Sequence, residues 1–146
     1  IARDQTTGVY GIMIDVNDFK HINDAYGHAA GDQAVRHIAR ILSQSISAES
    51  LAVRYAGDEF VLLLRSAEPA SILALVRQVE QNVASWNESK QEPFTLSFAM
   101  GYSCFDPARM TPEEFLTDMD RHMYENKRQH YQSHGRMGLR ETDAAD

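Results

Sequence analysis

The sequence predicts an α+β plait, or a closely related α/β plait, in which helices cover one or both faces of a mainly antiparallel sheet. Two observations lead to this fold class. Strand-like and helical apolar patterns follow one another in the order strand, helix, hairpin, helix, strand, helix. The chain has 146 residues, 43% of them hydrophobic, which is enough for one soluble domain with a substantial core.

The first half of the chain supplies a strand, a helix and a hairpin. Residues 9–14 (VYGIMI) form a predicted buried strand that ends at Asp15. Across residues 31–46, apolar side chains recur at the spacing of a helix. In residues 53–64 (VRYAGDEFVLLL), strand-forming residues flank an Ala-Gly-Asp-Glu segment that has the length and composition of a hairpin turn.

The second half supplies a helix, a strand and a final helix. Residues 71–86 carry apolar side chains along one helical stripe, and residues 94–105 alternate large and small side chains like a strand. Thr111 then begins a helix as its N-cap, with Pro112 at the first position and Glu114 closing a capping box. This helix turns its apolar side chains inward and becomes polar and basic towards Lys127.

The composition argues against several classes of protein. The formal net charge of −7 argues against nucleic acid as a partner, because a phosphate backbone requires a basic face. No apolar stretch approaches the roughly 20 residues of a membrane span, so we expect no membrane contact by this domain. The single cysteine, Cys104, rules out an internal disulfide. It fits a reducing cytoplasm, where we expect the domain to lie.

Two acidic segments indicate a candidate site. Asp15 ends the first predicted strand, and Asp58 and Glu59 lie in the hairpin turn. If these strands are neighbours, the carboxylates meet at one edge of the sheet, where they repel each other unless a cation joins them. Such oxygen ligands suit Mg²⁺, and the backbone amides after Asp15, together with Lys20, suit phosphate groups. Judged by spacing alone, this interpretation and that of ordinary turn acids are evenly balanced.

Two segments, in the right order and at the right spacing, resemble the GGDEF-domain diguanylate cyclases. Residues 15–32 (DVNDFKHINDAYGHAAGD) resemble the first motif of that family, and residues 54–60 (RYAGDEF) resemble its signature hairpin. Ala56 stands in place of the first glycine, an AGDEF variant of the signature. The resemblance implies a palm-like, ferredoxin-type βαββαβ domain across residues 1–136 that lacks the family's usual N-terminal helix. We expect residues 137–146 to form a disordered tail.

The resemblance also implies an activity. It is the condensation of two GTP molecules into cyclic di-GMP and two pyrophosphates, with Mg²⁺ or Mn²⁺ as the cofactor. Two domains that face each other antiparallel, as a transient or tethered homodimer, are needed for a turnover. Because the chain begins abruptly at Ile1, we expect a domain cut from a longer signalling protein with an upstream sensory domain.

The resemblance assigns roles to individual residues. Asp15 and Asp58 match the family's magnesium carboxylates, with the Val16 carbonyl as a further ligand. Glu59 matches an acid that assists metal binding or deprotonation of the attacking hydroxyl. The predicted substrate-binding residues are Asn23 and Asp32 for guanine, the backbone of Asp18 and Phe19 with Lys20 for the phosphates, Gly57 for close approach of the backbone, and Lys127 for the terminal phosphates.

Departures from the family pattern keep other interpretations open. Asn17 replaces the usual second Asp, and the family's Gly-Arg pair after the lysine is displaced to end at Arg136. The alternative is therefore a catalytically weak or inactive module that binds GTP or cyclic di-GMP as a regulatory domain. A cyclase that acts on one nucleotide is a third interpretation. Outside the motif, Lys20 and Lys127 would be ordinary solvated charges, and Asp32 would simply cap a helix.

Overall fold

A computed structural model describes residues 8–47, 50–66 and 68–134 of the chain. The described elements, in chain order, are β1 (Gly8–Val16), α1 (Phe19–Tyr26), α2 (His28–Ser45), β2 (Ser50–Ala56), β3 (Glu59–Ser66), α3 (Pro69–Ser89), β4 (Phe98–Phe105) and α4 (Pro112–His134). The predicted truncation at the N-terminus, the displaced Gly-Arg pair and the predicted tail fall on residues outside these ranges. Among the described helices, none is long and apolar enough to cross a membrane.

The four described strands form one sheet in the order β2-β3-β1-β4. Every neighbouring pair is antiparallel. The central strand β1 pairs with β3 from Gly8, opposite Ser66, to Asp15, opposite Glu59. This order is that of a ferredoxin-type plait, and it confirms the predicted α+β fold class.

The sheet carries a hydrophobic core on each face. Side chains alternate across a strand, so Ile12 and Ile14 of β1 enter one core and Met13 enters the other. The first core includes residues of α1, α2 and α3, whereas the second is closed by Phe115 and Met119 of α4. Because β1 is covered on both faces, it is the most deeply buried of the described strands, and its last residues are buried as well.

Close approach of α4 to β4 depends on Gly101. A Cβ at this position would overlap the backbone of Met123 and the carbonyl of Met119. The helix begins as the sequence predicts, since the Thr111 N–H donates to the Glu114 carboxylate at 2.8 Å and the Glu114 N–H donates to the Thr111 hydroxyl at 3.1 Å. The capping box is confirmed.

Two element boundaries differ from the sequence prediction. Phe19–Tyr26 is a helix that the predicted order of elements does not include, and Ile22 is its only buried residue. The strand predicted from residue 94 begins at Phe98 instead. The partner strand β1 ends at Val16, opposite Phe98, so it does not extend beside residues 94–97. The Leu96 backbone pairs with Asn87 instead, whose side-chain amide donates to the Leu96 carbonyl at 2.9 Å and whose amide oxygen accepts from the Leu96 N–H at 2.8 Å.

Candidate active site

The register of the sheet brings the two acidic segments together at one end of the central strands. Asp15 lies directly opposite Glu59 in the β1–β3 pair. The next residue, Val16, donates its N–H to the Asp58 carbonyl at 3.2 Å. The neighbouring positions predicted for Asp15, Asp58 and Glu59 are therefore observed. Asp15 is buried, with 2% of its surface exposed, and the two hairpin acids are half-buried.

Asp15 is an acid under electrostatic strain. Burial raises its pKa to about 6, and the nearby Asp58 and Glu59 carboxylates add to the rise, whereas Lys127 opposes it. The Lys127 ammonium donates to Asp15 Oδ2 at 3.0 Å. The other oxygen, Oδ1, is buried and has no hydrogen-bond donor among the described residues. A buried carboxylate with one unsatisfied oxygen is a position where a cation would be stabilised.

Lys127 is buried, with 4% of its surface exposed. The interpretation of this residue as a solvated charge is wrong, because α4 lies close enough to the sheet for the ammonium to reach Asp15. The ion pair between Lys127 and Asp15 was not predicted from the sequence. A signal was present, since Lys127 lies four and eight positions after Met123 and Met119 and so continues the buried stripe of the helix.

The hairpin turn between β2 and β3 is open to solvent. Ala56 and Gly57 are both exposed, so the methyl group of the AGDEF variant fits without a clash. A Cβ at Gly57 would meet no described atom within 4 Å. Arg54 donates from its guanidinium to the Gly57 carbonyl at 3.1 and 2.7 Å. The described fold alone thus does not require glycine at position 57. That a bound nucleotide requires it stays a prediction.

The connection from β1 to α1 carries the predicted phosphate loop. Asn17 is buried and bridges this connection to Ser97, through its N–H to the Ser97 carbonyl at 2.7 Å and its side-chain amide to the Ser97 hydroxyl at 2.9 Å. Asp18 adopts a left-handed conformation, with φ of 58°, at the start of α1. Lys20 points to solvent and pairs with Asp24 at 3.0 Å. Asn17 therefore has a structural position, and Lys20 is accessible to an anionic ligand.

The two predicted guanine-reading residues lie on adjacent helices. Asn23 is on α1 and Asp32 is on α2. The Asn23 side chain lies against Gly31, where a Cβ would overlap its amide oxygen. Gly31 thus allows α1 and α2 to pack closely and places Asn23 beside the residue that precedes Asp32. Asp32 itself is exposed, so its carboxylate is accessible.

The residues at this edge fit a divalent cation. No three His, Cys, Asp or Glu side chains within the described ranges form a ready metal cluster. The predicted set, however, consists of two carboxylates, Asp15 and Asp58, and the Val16 carbonyl. The orphaned Asp15 oxygen and the accumulation of negative charge at this edge both favour a hard cation with oxygen ligands.

The fold and site define an α+β plait with a cluster of acids at the end of its two central strands. Residues 1–133 match the family described as diguanylate cyclase, GGDEF domain. The chain therefore belongs to the GGDEF domain family, and the resemblance inferred from the sequence motifs is confirmed.

Relatives and solved structures agree with this family. The chain is 29% identical to diguanylate cyclase A of Treponema denticola over 119 residues, which are 80% of this chain and 32% of that protein. It is 30% identical to the response regulator PleD of Caulobacter vibrioides over 128 residues, which are 82% of this chain and 27% of that protein. The chain thus spans less than a third of the length of either relative.

Among solved structures, the GGDEF domain of PA1120 (YfiN or TpbB) from Pseudomonas aeruginosa superposes with a TM-score of 0.76 and 32% identity, covering 88% of this chain and 81% of that chain. The GGDEF domain of DgcB from Caulobacter crescentus, solved in complex with c-di-GMP, has a TM-score of 0.76 at 21% identity and supports the fold alone.

Proposed function

We propose that this domain is a diguanylate cyclase that condenses two GTP molecules into cyclic di-GMP and two pyrophosphates. The observation that carries the proposal is the meeting of Asp15, Asp58 and Glu59 at one end of the sheet in a member of the GGDEF family. Asp15, Asp58 and the Val16 carbonyl would hold Mg²⁺ or Mn²⁺. The bound cation would lower the pKa of the attacking hydroxyl and neutralise charge at the phosphate under attack.

The chain's own residues bind and orient the nucleotide. Asn23 and Asp32 read guanine, because its adjacent N–H groups are donors that a carboxylate accepts and adenine lacks that pattern. The backbone at the start of α1, around Asp18 and Phe19, binds the phosphates, because the N-terminal end of a helix attracts anions. Lys20, which is exposed, adds a positive charge to the same region.

The remaining groups act closer to the reaction. Glu59 accepts the proton of the attacking hydroxyl or supports the cation. Gly57 lets the nucleotide approach the hairpin backbone, where any side chain would point into open space that the ligand needs. Lys127 reaches the terminal phosphates when the nucleotide is bound.

The test is the identity of the product. Purified domain is incubated with labelled GTP and Mg²⁺, and the products are separated and identified by mass; ATP replaces GTP in a parallel reaction. We expect cyclic di-GMP from GTP, no cyclic dinucleotide from ATP, and a loss of at least about 10²-fold for Asp58→Ala, which removes a cation ligand. The Asp58 carbonyl that Val16 uses is retained, so the variant should fold. Cyclic di-GMP at the parent rate from Asp58→Ala would refute the metal assignment.

A regulatory module remains the rival function, and the same experiment separates the two. GTP binding by calorimetry without any product, in the presence of either Mg²⁺ or Mn²⁺, would favour regulation by binding over catalysis.

Two domains are required for a turnover, because each holds one GTP and supplies half of the reaction. We propose that an upstream sensory segment of the full-length protein brings the domains together. The domain carries a formal charge of −7, so two separate copies repel one another at low ionic strength. Specific activity should therefore rise with protein concentration and on fusion to a dimeric coiled coil. A specific activity that stays constant down to nanomolar protein would contradict the two-domain reaction.

A further inference from the structure

The packing of α4 on the sheet fixes Lys127 beside Asp15. Met123, one helical turn earlier, has its backbone against Gly101 of β4. Asn126, the residue just before Lys127, donates from its side-chain amide to a backbone carbonyl of β4. These two contacts hold the helix over β4, so that the Lys127 side chain reaches the buried carboxylate of β1. The ion pair is thus a consequence of how the helix and sheet fit together.

The ion pair closes Asp15 to solvent. The side chains of Lys127 and Asp15 are 5% and 3% exposed, with 3.0 Å between Nζ and Oδ2. The second oxygen, Oδ1, is buried too and receives no hydrogen bond from any described part of the chain. A cation therefore cannot reach the carboxylate while the surrounding side chains keep these positions. Asp15 lies on the central strand, whereas Lys127 has a long and flexible side chain that can leave.

The charges at this edge make the lysine an incomplete partner. Asp15 has Asp58 and Glu59 beside it, and both raise its pKa. The Lys127 ammonium contributes a single positive charge and reaches only one of the two Asp15 oxygens. A divalent cation brings twice the charge and takes several oxygen ligands at once.

We propose that Lys127 is a built-in counter-ion that occupies the place of the divalent cation at Asp15 and leaves it when the cation binds. The inference rests on the proposed function for the identity of the cation and of the nucleotide. Before cation binding, the lysine keeps the buried carboxylate from being an uncompensated charge. After the exchange, its ammonium becomes available to the anionic groups of a nucleotide at the same edge. Lys127 is in this sense a positioning residue whose two partners alternate.

The first test measures cation binding without nucleotide. Mn²⁺ is titrated into the wild-type domain and into Lys127→Met at pH 8, and free Mn²⁺ is followed by electron paramagnetic resonance. Methionine fills a similar space without the charge, so Mn²⁺ should bind about tenfold or more tightly to the variant. Lys90→Met is the matched control, because Lys90 is exposed at the end of α3, and it should bind Mn²⁺ as the wild type does. Equal or weaker binding to Lys127→Met would overturn the exchange.

The second test measures the Lys127–Asp15 ion pair through thermal stability, and it also applies if Lys127→Met is less stable than the wild type. Thermal unfolding midpoints in EDTA are compared for the wild type, Asp15→Asn, Lys127→Met and the double variant. The loss caused by Lys127→Met should be much smaller when Asp15→Asn is already present, because no buried carboxylate is then left unpaired. Mn²⁺ should restore the midpoint of Lys127→Met more than it raises that of the wild type. Additive losses would overturn the pairing, and restoration of variants that lack Asp15 would overturn the place of the cation.

Neither test uses GTP, so the two proposals can fail separately. Tighter Mn²⁺ binding by Lys127→Met in a domain that makes no cyclic di-GMP would refute the activity and support the exchange. If the domain makes cyclic di-GMP but Lys127→Met binds Mn²⁺ with the affinity of the wild type, the exchange is refuted and the activity is supported.

Discussion

Two of the polar contacts between α4 and the sheet involve a carboxylate, and the pKa values of the two carboxylates shift in opposite directions. Near the start of the helix, Ser103 of β4 donates from its hydroxyl to Asp118 Oδ2 at 2.6 Å, and this hydrogen bond lowers the pKa of Asp118. Near the end of the helix, Lys127 donates to Asp15 at 3.0 Å, yet burial raises the pKa of Asp15 to about 6. The same helix and sheet thus hold one acid that prefers its charge and one that resists it.

The difference lies in hydrogen bonding and burial. Asp118 is partly exposed and has donors at both carboxylate oxygens, Ser103 at one and Arg121 at the other. Asp15 is buried and, so far as the described chain extends, one of its oxygens has no donor. A buried group that the fold leaves unsatisfied is costly for stability and is therefore a mark of function. The contact at Asp118 has the properties of a purely structural one.

The largest expected effect is on turnover, which should fall strongly when Asp15 is replaced and only slightly when Asp118 is replaced. Asp15→Asn removes a proposed cation ligand, so turnover should fall by at least about 10²-fold. Asp118 contacts Ser103, which pairs with Gly11, four positions before Asp15 on β1. Asp118→Asn should therefore keep turnover within about a factor of three, since partly exposed ion pairs contribute little. Production of cyclic di-GMP from labelled GTP measures both, with circular dichroism as the control for folding. Equal losses in the two variants would show that the contacts do not differ in role.

The fold could be predicted from apolar periodicity because most elements bury a clear stripe. The exceptions are informative. Helix α1 has only Ile22 buried. Its sequence therefore lacks the repeated apolar positions that would predict a helix. β4 starts at Phe98, opposite the last residue of β1, and the Leu96 backbone before it pairs with the side chain of Asn87 on α3. No local pattern in residues 94–97 indicates that contact.

The candidate site was predictable only in part for the same reason. The hairpin and the first strand each end in acids, and the plait topology is sufficient to bring Asp15 opposite Glu59. The burial of Lys127 requires the close approach of α4 at Gly101, which is a property of two distant segments. Local periodicity places Lys127 on the inner stripe, but it does not identify the carboxylate that the ammonium meets.

A smaller effect separates the two acids by the pH dependence of stability, measured by urea unfolding in EDTA. The folded-state pKa of Asp15, about 6, lies above the ordinary value of 3.8. The part of the unfolding free energy that depends on Asp15 is therefore greatest below about pH 4. It falls by on the order of 3 kcal/mol as the pH rises through 6, because the folded state then has to hold a buried charge. The charged groups that face it are Asp58 and Glu59 from the hairpin and Lys127 from α4.

Asp118 should give the opposite slope, because its pKa is lowered in the folded state. The charged Asp118 carboxylate therefore stabilises the fold at pH values above those at which an aspartate ordinarily titrates. This stabilisation is lost as the pH falls through that titration range. Relative to the wild type, Asp15→Asn should thus gain stability between pH 4 and 6, and the deficit of Asp118→Asn should shrink below pH 4. Parallel profiles for the two variants would contradict the opposite shifts.

The smallest expected effect tests whether the structural contact is a simple hydrogen bond. Ser103→Ala removes the donor to Asp118 Oδ2, while Arg121 still pairs with the other oxygen. Because Asp118 is partly exposed, water can replace the lost donor, and unfolding free energy should fall by only about 1 kcal/mol. The change should be nearly absent when Ser103→Ala is added to Asp118→Ala and the double variant is compared with Asp118→Ala alone, because the hydroxyl then has no carboxylate partner. Turnover should be unaffected in each variant. A fall in turnover for Ser103→Ala without loss of stability would mean that the start of α4 influences the acids at the opposite end of the sheet, and the two contacts would then have to be treated as one coupled unit.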